Sequence, residues 1–334
     1  MSGSSVGVVL IGRNEGERLV RALESVSDGS RPLVYVDSGS TDGSCERAAE
    51  RSAAVVALDM SLPFTAARAR NAGFERLMEE HPETRYVQFV DGDCEVDSKW
   101  IETAATELDN DPEVGAICGY LKERHPEHSI YNKICDVEWH LGPVGPTTNF
   151  GGNVMIRVDA LEKVGGWNPA VIAAEDDELA VRLRKQGWKL IRLDYESMIH
   201  DVDMHHAWQW WRRAKRAGYA YAQVSGLHGA TTPERKFVHE KRRALLWGLA
   251  VPAGALLMAP VTLGISCLAL TRYPAVGARI ALQTRRRGFP WGHSLAWGAS
   301  CALSSFPEAA GVAKFYLDAL QDRTPEIIEH KRTE

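Results

Sequence analysis

The sequence predicts an α/β fold on a mostly parallel sheet, followed by a helical C-terminal region. Three observations carry that reading. Short apolar runs alternate with helix-patterned segments through the first half of the 334 residues. Loops of Gly, Ser and Asp follow several of those runs. Beyond residue 230 the alternation gives way to basic clusters around one long charge-free stretch. Strands alternating with helices imply a parallel sheet covered on both faces. In such sheets ligands gather beyond the carboxyl ends of the strands.

The elements follow in order. Val6–Ile11 reads as a buried strand and 16–27 as a helix. Leu33–Val36 is a second strand, and a Gly/Ser/Asp loop leads from it to a helix near 44–51. Val55–Leu58 is a third strand, and Ala66–Glu80 has apolar positions at helical spacing. Tyr86–Val90 is a fourth strand and ends in Asp91-Gly92-Asp93. Then come a strand over 114–119, a loop rich in His and Pro, and a strand near 153–157. A helix over 159–164 stops at Gly165-Gly166, as suits a helix C-terminus. A further helix over 176–186 ends at Gly187, and 190–193 is a strand.

The expected division is a catalytic domain over 1–230 and a helical region over 231–334. In the second, Ala244 to Leu270 carries no charge. As one helix it would measure roughly 40 Å, against the ~30 Å of a bilayer core. Pro252 and Pro260 interrupt it, and both flanks are basic: Arg242 and Arg243 before, Arg272, Arg279 and Arg285 to Arg287 after. A single span has its positive excess on one side. A re-entrant or surface-lying hairpin that returns to the cytoplasmic face fits two basic flanks better. The alternative is a helical hairpin buried in protein.

Composition narrows the function classes. A hydrophobic share of 45% with 25% charge is too apolar for a disordered chain, and a net charge of −5 gives no general affinity for nucleic acid. The six cysteines form no CxxC pair, so free thiols in a reduced compartment are expected. Residues 1–5 lack a basic n-region and a cleavable apolar core, so the catalytic part is expected to stay in the cytoplasm.

Four constellations could do chemistry. Asp37 opens the loop Asp37-Ser38-Gly39-Ser40-Thr41-Asp42-Gly43 straight after a strand, where it could accept hydrogen bonds from a base N–H; the plainer reading is an ordinary loop. Asp91-Gly92-Asp93 puts two carboxylates one glycine apart, able to share a hard cation with a diphosphate, or merely to make a tight turn. Glu175-Asp176-Asp177-Glu178 opens a helix, where acids are favoured; a carboxylate there could also serve as general base. His200 follows a strand and could be a further metal ligand or a structural histidine. Trp210 and Trp211 suit packing or a membrane interface better than a substrate platform.

Taken together and in order, these residues resemble family-2 glycosyltransferases, which have the GT-A fold. The match runs from about Val6 to Trp211. It includes Arg13-Asn14-Glu15, the Asp37 loop, Ala69-Arg70-Asn71-Ala72-Gly73, Asp91-Gly92-Asp93, Gly151-Gly152-Asn153, Gly165-Gly166-Trp167, and Glu175-Asp176 with Leu179 and Arg182. The resemblance implies an inverting transferase. It would move a sugar from a nucleotide-diphosphate sugar to a saccharide or lipid-linked hydroxyl, with Mn2+ or Mg2+ as cofactor. By the same resemblance Asp37 binds the nucleobase, with Arg13 and Glu15 at that pocket. Asp91 faces the ribose or nucleotide, Arg70 lies near the diphosphate, and Asp93 holds the metal. Gly152 and Asn153 line the donor-sugar and acceptor region, Glu175 belongs to the same donor site, and Asp176 is the base.

Two departures refine this. Many relatives have Asp-Asp where this chain has Asp37-Ser38, so base recognition rests on one carboxylate. Processive synthases carry Gln-x-x-Arg-Trp, whereas Gln209-Trp210-Trp211-Arg212 is followed here by Arg213, which favours single-sugar transfer. A sugar-phosphate nucleotidyltransferase would need a basic Gly-rich loop after the first strand, and Ile11-Gly12-Arg13-Asn14-Glu15 is not one. A decayed transferase serving as a membrane scaffold is opposed by the acids that remain at Asp37, Asp91, Asp93 and Asp176.

Overall fold

The computed structural model describes residues 5–323 apart from 52, 231 and 234, and residue 328. Residues 1–4, most of the N-terminus read above for a signal, lie outside the described residues. In chain order the elements are β1 (Val6–Gly12), α1 (Glu17–Val26), β2 (Leu33–Asp37), α2 (Ser44–Ala49), β3 (Ala54–Ala57), α3 (Ala66–Glu80), β4 (Tyr86–Asp91), β5 (Cys94–Val96) and α4 (Trp100–Asn110). Next come β6 (Val114–Glu123), α5 (Ile130–His140), β7 (Gly145–Pro146), β8 (Val154–Arg157), α6 (Val158–Lys163), α7 (Glu175–Lys185) and β9 (Lys189–His200). The remainder is helical: α8 (Ala207–His228), α9 (Val238–Leu245), a π-helical turn (Leu246–Ala250), α10 (Val251–Met258), a 3-10 helix (Ile265–Thr271), α11 (Arg272–Arg286), α12 (Trp291–Leu303) and α13 (Ser305–Leu320).

The chain forms two compact units, one of Met1–Arg124 with Gly142–Val202, the other of His125–Leu141 with Asp203–Glu334. The first is built on one sheet in the order β3-β2-β1-β4-β8-β6-β9-β5, with β7 also on β9. Strands β1 to β4 are parallel; β8 runs against β4 and β6, and β6 is parallel to β9. Successive side chains of a strand face opposite ways, and both faces here are apolar. Val8 and Leu10 pack with Leu19, Leu23 and Trp100, whereas Val9 and Ile11 pack with Leu77, Leu161, Leu179 and Leu183. The register sets Gly12 beside Asp37 and Ile11 beside Asp91. The carboxyl ends of three neighbouring strands therefore present their loops side by side.

The stretch between 119 and 153, read above as a strand end and a loop, holds more order than that. Strand β6 runs on to Glu123, and α5 follows behind Ser129, whose hydroxyl accepts the N–H groups of Tyr131 and Asn132. Strand β9 likewise runs to His200, well past residue 193.

The second unit is a helical bundle in which α8 packs on α13 at backbone contact. A Cβ on Gly218 would lie 1.9 Å from the Glu308 carbonyl oxygen, and one on Gly311 2.0 Å from that of Lys215. Charged pairs link the helices: Arg213 with Glu138 at 2.7 Å, and Arg243 with the buried Glu308 at 2.6 Å. Among the described residues no helix is long and apolar enough to cross a membrane. The charge-free stretch is a bent hairpin instead of one helix. Within the single chain its Leu257 is 77% and Leu263 92% exposed.

Glycine at the α8–α13 crossing can be tested by comparison with glycine elsewhere on α8. Gly311→Ala should cost about 1–3 kcal/mol of stability, as overpacking does. Gly226, where an added methyl would meet nothing within 4 Å, should accept alanine without loss. Thermal unfolding of the two variants against the parent checks this.

Candidate active site

The loops after β1 and β2 are tied to each other. Asn14 donates its N–H to the Ser40 hydroxyl (2.9 Å) and accepts that of Thr41 (2.7 Å). Asp42 accepts the Gly16 N–H at 2.9 Å. Both Asn14 and Gly16 take positive φ, +54° and +55°, which turns the first loop towards the second. Bonds from the Ser44 side chain and the Gly16 and Ser44 N–H groups outweigh the partial burial of Asp42 and hold its carboxyl below the ordinary range.

Asp37 closes the second loop from the end of β2. One of its oxygens accepts the N–H groups of Gly39 and Ser40 at 2.9 and 2.8 Å, and the other accepts the Tyr35 hydroxyl at 3.0 Å. Burial and the Asp37 charge push the Tyr35 hydroxyl far above its usual range, so it stays a donor. Arg13, on the first loop, lays its guanidinium over the Phe64 ring at 4.7 Å. Glu15 on the same loop pairs with Arg18 at 3.0 Å.

A second group centres on Arg70, which α3 carries and which is 2% exposed. Its guanidinium reaches Asp91 at 2.8 Å, Glu175 at 2.9 Å and Asp176 at 3.4 Å, and stacks over Trp167 at 4.7 Å. Asn153 fixes Asp91 from the far side. Its side-chain oxygen accepts the Asp91 N–H (2.9 Å), and its amide donates to the carboxylate (3.2 Å). Gly152 is glycine for want of room, since a Cβ there would sit 1.9 Å from Arg70 Nη2.

Asp176 stands at the start of α7 with 18% of its side chain exposed. Burial raises its carboxyl pKa well above the ordinary range, and the charge of Glu175 adds to that; Arg70 opposes them without cancelling. The neighbouring acids divide between two tasks. Glu175, 4% exposed, is held by Arg70. Glu178 makes a two-pronged pair with Arg182, both Nε distances being 2.9 Å. Arg182 also donates to the carbonyls of Val164 and Gly166 at 2.7 Å each, and Asn71 clamps Trp167 through two 2.8 Å bonds. Arg182 and Asn71 thus hold the turn that presents Trp167 to Arg70.

A third group lies where β5 leaves the Asp91-Gly92-Asp93 turn. Asp93, 4% exposed, has one carboxylate oxygen 3.3 Å from His200 Nε2 and the other 3.7 Å from the Cys94 thiol. Pairing of Cys94 with His200 across β5 and β9 sets this arrangement. Carboxylate and imidazole are donors that a divalent cation accepts, and their atoms are close enough to converge on one. The thiol is too soft a ligand for Mg2+ or Mn2+, so Cys94 serves as hydrogen-bond partner. A second cluster, His125, Glu127 and His128, lies on the surface of the other unit.

The structure therefore brings Arg70, Asp91, Gly152, Asn153, Glu175 and Asp176 together, joins Asp93 to His200, and keeps Asp37 with its own loop and Arg13 with Phe64. Sequence reasoning missed the roles of Tyr35, Asn71 and Trp167. Tyr35 carried a signal, since it lies two residues before Asp37 and so on the same strand face. Nothing in the sequence marked Phe64.

Residues 7–165 match the family described as glycosyl transferase family 2, and residues 140–207 match that described as the N-terminal domain of galactosyltransferase. No curated protein matches the chain. The mannosyltransferase PcManGT from Pyrobaculum calidifontis, solved with GDP-Man and Mn2+, has a TM-score of 0.62 at 21% identity, over 94% of this chain and 87% of its own. TarS 1-349 of S. aureus has a TM-score of 0.52 at 14% identity, over 90% of each chain. The same TarS segment with UDP has a TM-score of 0.50 at 14% identity, over 95% of this chain and 92% of its own. At such identities the likeness speaks for the fold. The α/β unit carries a glycosyl transferase family 2 domain of GT-A fold, and the protein is a glycosyltransferase.

Proposed function

We propose that the protein transfers a single sugar, with inversion, from a nucleoside-diphosphate sugar to an acceptor hydroxyl. The observation that carries this is one carboxylate, Asp176, with a raised pKa and partial exposure beside a buried guanidinium. Of the acids that open α7, Glu178 is committed to Arg182 and Glu175 lies 2.9 Å from Arg70. Asp176 meets the same guanidinium at 3.4 Å and keeps 18% of its side chain exposed, which places it better for a reacting proton. Transfer requires the acceptor O–H bond to break as its oxygen attacks the anomeric carbon and the nucleoside diphosphate departs. Asp176 takes the proton as a general base. Attack opposite the leaving group inverts the configuration. Arg70 and Asp91, locked together and to Asn153, hold the donor side. The Asp37 and Arg13 loops hold the nucleotide base, with Glu15 on the first of them.

Asp93 and His200 would hold a divalent cation, Mn2+ or Mg2+. When bound, it would neutralise charge that develops on the departing diphosphate. Two relatives of the same fold were solved with such components, PcManGT with GDP-Man and Mn2+ and TarS with UDP. An acceptor carried on a lipid or a surface saccharide fits the exposed apolar hairpin of the second unit. The Gln209 side chain is a local N-terminal box for α8, accepting the N–H groups of His205 and His206 at 2.8 and 2.9 Å. This local role, and Arg213 paired to Glu138, support single transfer over processive synthesis.

Asp176→Asn should keep donor binding and lose roughly 10²–10⁴-fold in transfer. Isothermal titration with a donor and a turnover assay separate the two; near-parental turnover would remove Asp176 from the role.

The same base fixes a pH dependence. It works deprotonated and its pKa is raised, so kcat should fall as pH drops through a midpoint above the ordinary carboxylate range. A pH–rate profile flat down to the range of an exposed aspartate would contradict it.

The cation role is tested by thermal shift with UDP-, GDP-, dTDP- and CDP-sugars, each with and without manganese. A bound donor raises the melting temperature by mass action. The parent should respond to one nucleotide class only with metal present, and Asp93→Ala should lose that dependence. Equal shifts with a chelator would sink the assignment.

A further inference from the structure

Residues 246–271 of the second unit are apolar, exposed and shaped as a hairpin. The outgoing leg is the π-helical turn followed by α10, and the return leg is the 3-10 helix. Leu256, Leu257, Val261, Leu263, Ile265 and Leu268 are 63–92% exposed. Such a contiguous apolar patch marks a surface that meets something other than water.

Three further observations say what it meets. First, the hydroxyls of the hairpin are turned onto its own backbone. Its three hydroxyls all donate to backbone carbonyls: Thr262 to Met258 (2.9 Å), Ser266 to Ala255 (2.7 Å) and Thr271 to Leu268 (2.6 Å). Within the turn, Thr262 N–H bonds to Met258 O and Gly264 N–H to Ala259 O. In water a hydroxyl has no need of such a partner, whereas in hydrocarbon it needs one. Second, the tip is Leu263 at φ +51°, 92% exposed, followed by Gly264 at φ +86°. A turn facing water takes Asn, Asp or Gly at such a conformation; leucine there suits an apolar surround. Third, the base of the hairpin is amphipathic. Arg272 stacks over Trp247 at 3.9 Å, and the Tyr273 hydroxyl donates to the Trp247 carbonyl. Aromatic rings of this kind sit at head-group level in membranes. On the helices that flank the hairpin, the cations Arg242, Arg279, Arg285, Arg286 and Arg287 are exposed.

Length decides between a span and an insertion. The outgoing leg, five residues of π-helix and eight of α-helix, reaches roughly 15–20 Å, and the seven-residue 3-10 return roughly 14 Å. One leaflet of a ~30 Å hydrocarbon core is about that deep. We propose that residues 246–271 insert as a hairpin into a single leaflet of an anionic bilayer, with Trp247, Arg272 and Tyr273 at head-group level and the Arg285–Arg287 cluster on lipid phosphates. Both legs start and end on the basic side, which the charge rule assigns to the cytoplasmic leaflet.

The test is flotation of the full chain with vesicles of phosphatidylcholine, with or without phosphatidylglycerol. The parent should float with the anionic vesicles, less so with phosphatidylcholine alone or in high salt. Vesicles with brominated acyl chains should quench its tryptophan emission. Leu257→Asp with Leu263→Asp should cut the bound fraction at least ~10-fold, since a carboxylate in hydrocarbon is strongly disfavoured. The two side chains are exposed, so the variant's unchanged melting temperature shows that the fold is intact. Arg285→Gln with Arg286→Gln and Arg287→Gln should instead remove the preference for phosphatidylglycerol. Flotation equal to the parent in the Asp variant would overturn the proposal. So would a lipid-free dimer that floats with neither vesicle and falls apart in that variant, since a second copy would then cover the hairpin. Neither readout uses sugar transfer, so failure here is distinct from failure of the transferase assignment.

Discussion

The site depends on one buried guanidinium. Arg70 is 2% exposed and faces three carboxylates, Asp91, Glu175 and Asp176. A lone charge at that depth would be prohibitive, and one arginine cannot neutralise three acids. Asp91 and Glu175 lie under 3 Å from the guanidinium and Asp176 lies at 3.4 Å; burial raises the Asp176 pKa, and the charge of Glu175 adds to it. Burial that would merely cost stability elsewhere here produces a carboxylate more basic than usual.

That arrangement explains features which look unrelated in the chain. Gly152 must lack a side chain because Arg70 already fills the space. Asn153 must be an amide because it meets a backbone N–H and a carboxylate at once, which needs an acceptor and a donor in one group. Trp167 covers the guanidinium face, and it is held there by Asn71 and by a turn that Arg182 ties to α7. The acids that open α7 are thus of two kinds. Glu178 fastens the scaffold through Arg182, whereas Glu175 and Asp176 meet Arg70.

Much of this was legible in the sequence. Strands β1, β2 and β4 announce themselves because they are buried on both faces and read as unbroken apolar runs, and α3 because its apolar positions recur at helical spacing. The acids at their carboxyl ends follow from the fold class. Helix α5 was hidden by the His and Pro before it, although Ser129 is a good cap. Strand β5, at three residues, is too short to carry a pattern. In β9, Arg192, Asp194 and Glu196 alternate with Leu193, Tyr195 and Ser197, a strand period that the charges obscured. The site residues could be named from the chain, but not their partners. That Arg70 unites three acids from two distant segments is a property of packing, and no spacing in the sequence encodes it.

The same distinction separates the two carboxylates of the Asp91-Gly92-Asp93 turn. In sequence they are an equivalent pair one glycine apart. In the structure Asp91 is committed to Arg70 and Asn153, and Asp93 lies with His200 and Cys94. A cation shared symmetrically between them would have to compete for Asp91 with the Arg70 guanidinium at 2.8 Å and the Asn153 amide at 3.2 Å. Asp93 lies against an imidazole and a thiol, and its carboxylate and His200 are close enough to converge on one cation. The turn therefore places its two acids in different surroundings, one in the Arg70 group and the other beside His200.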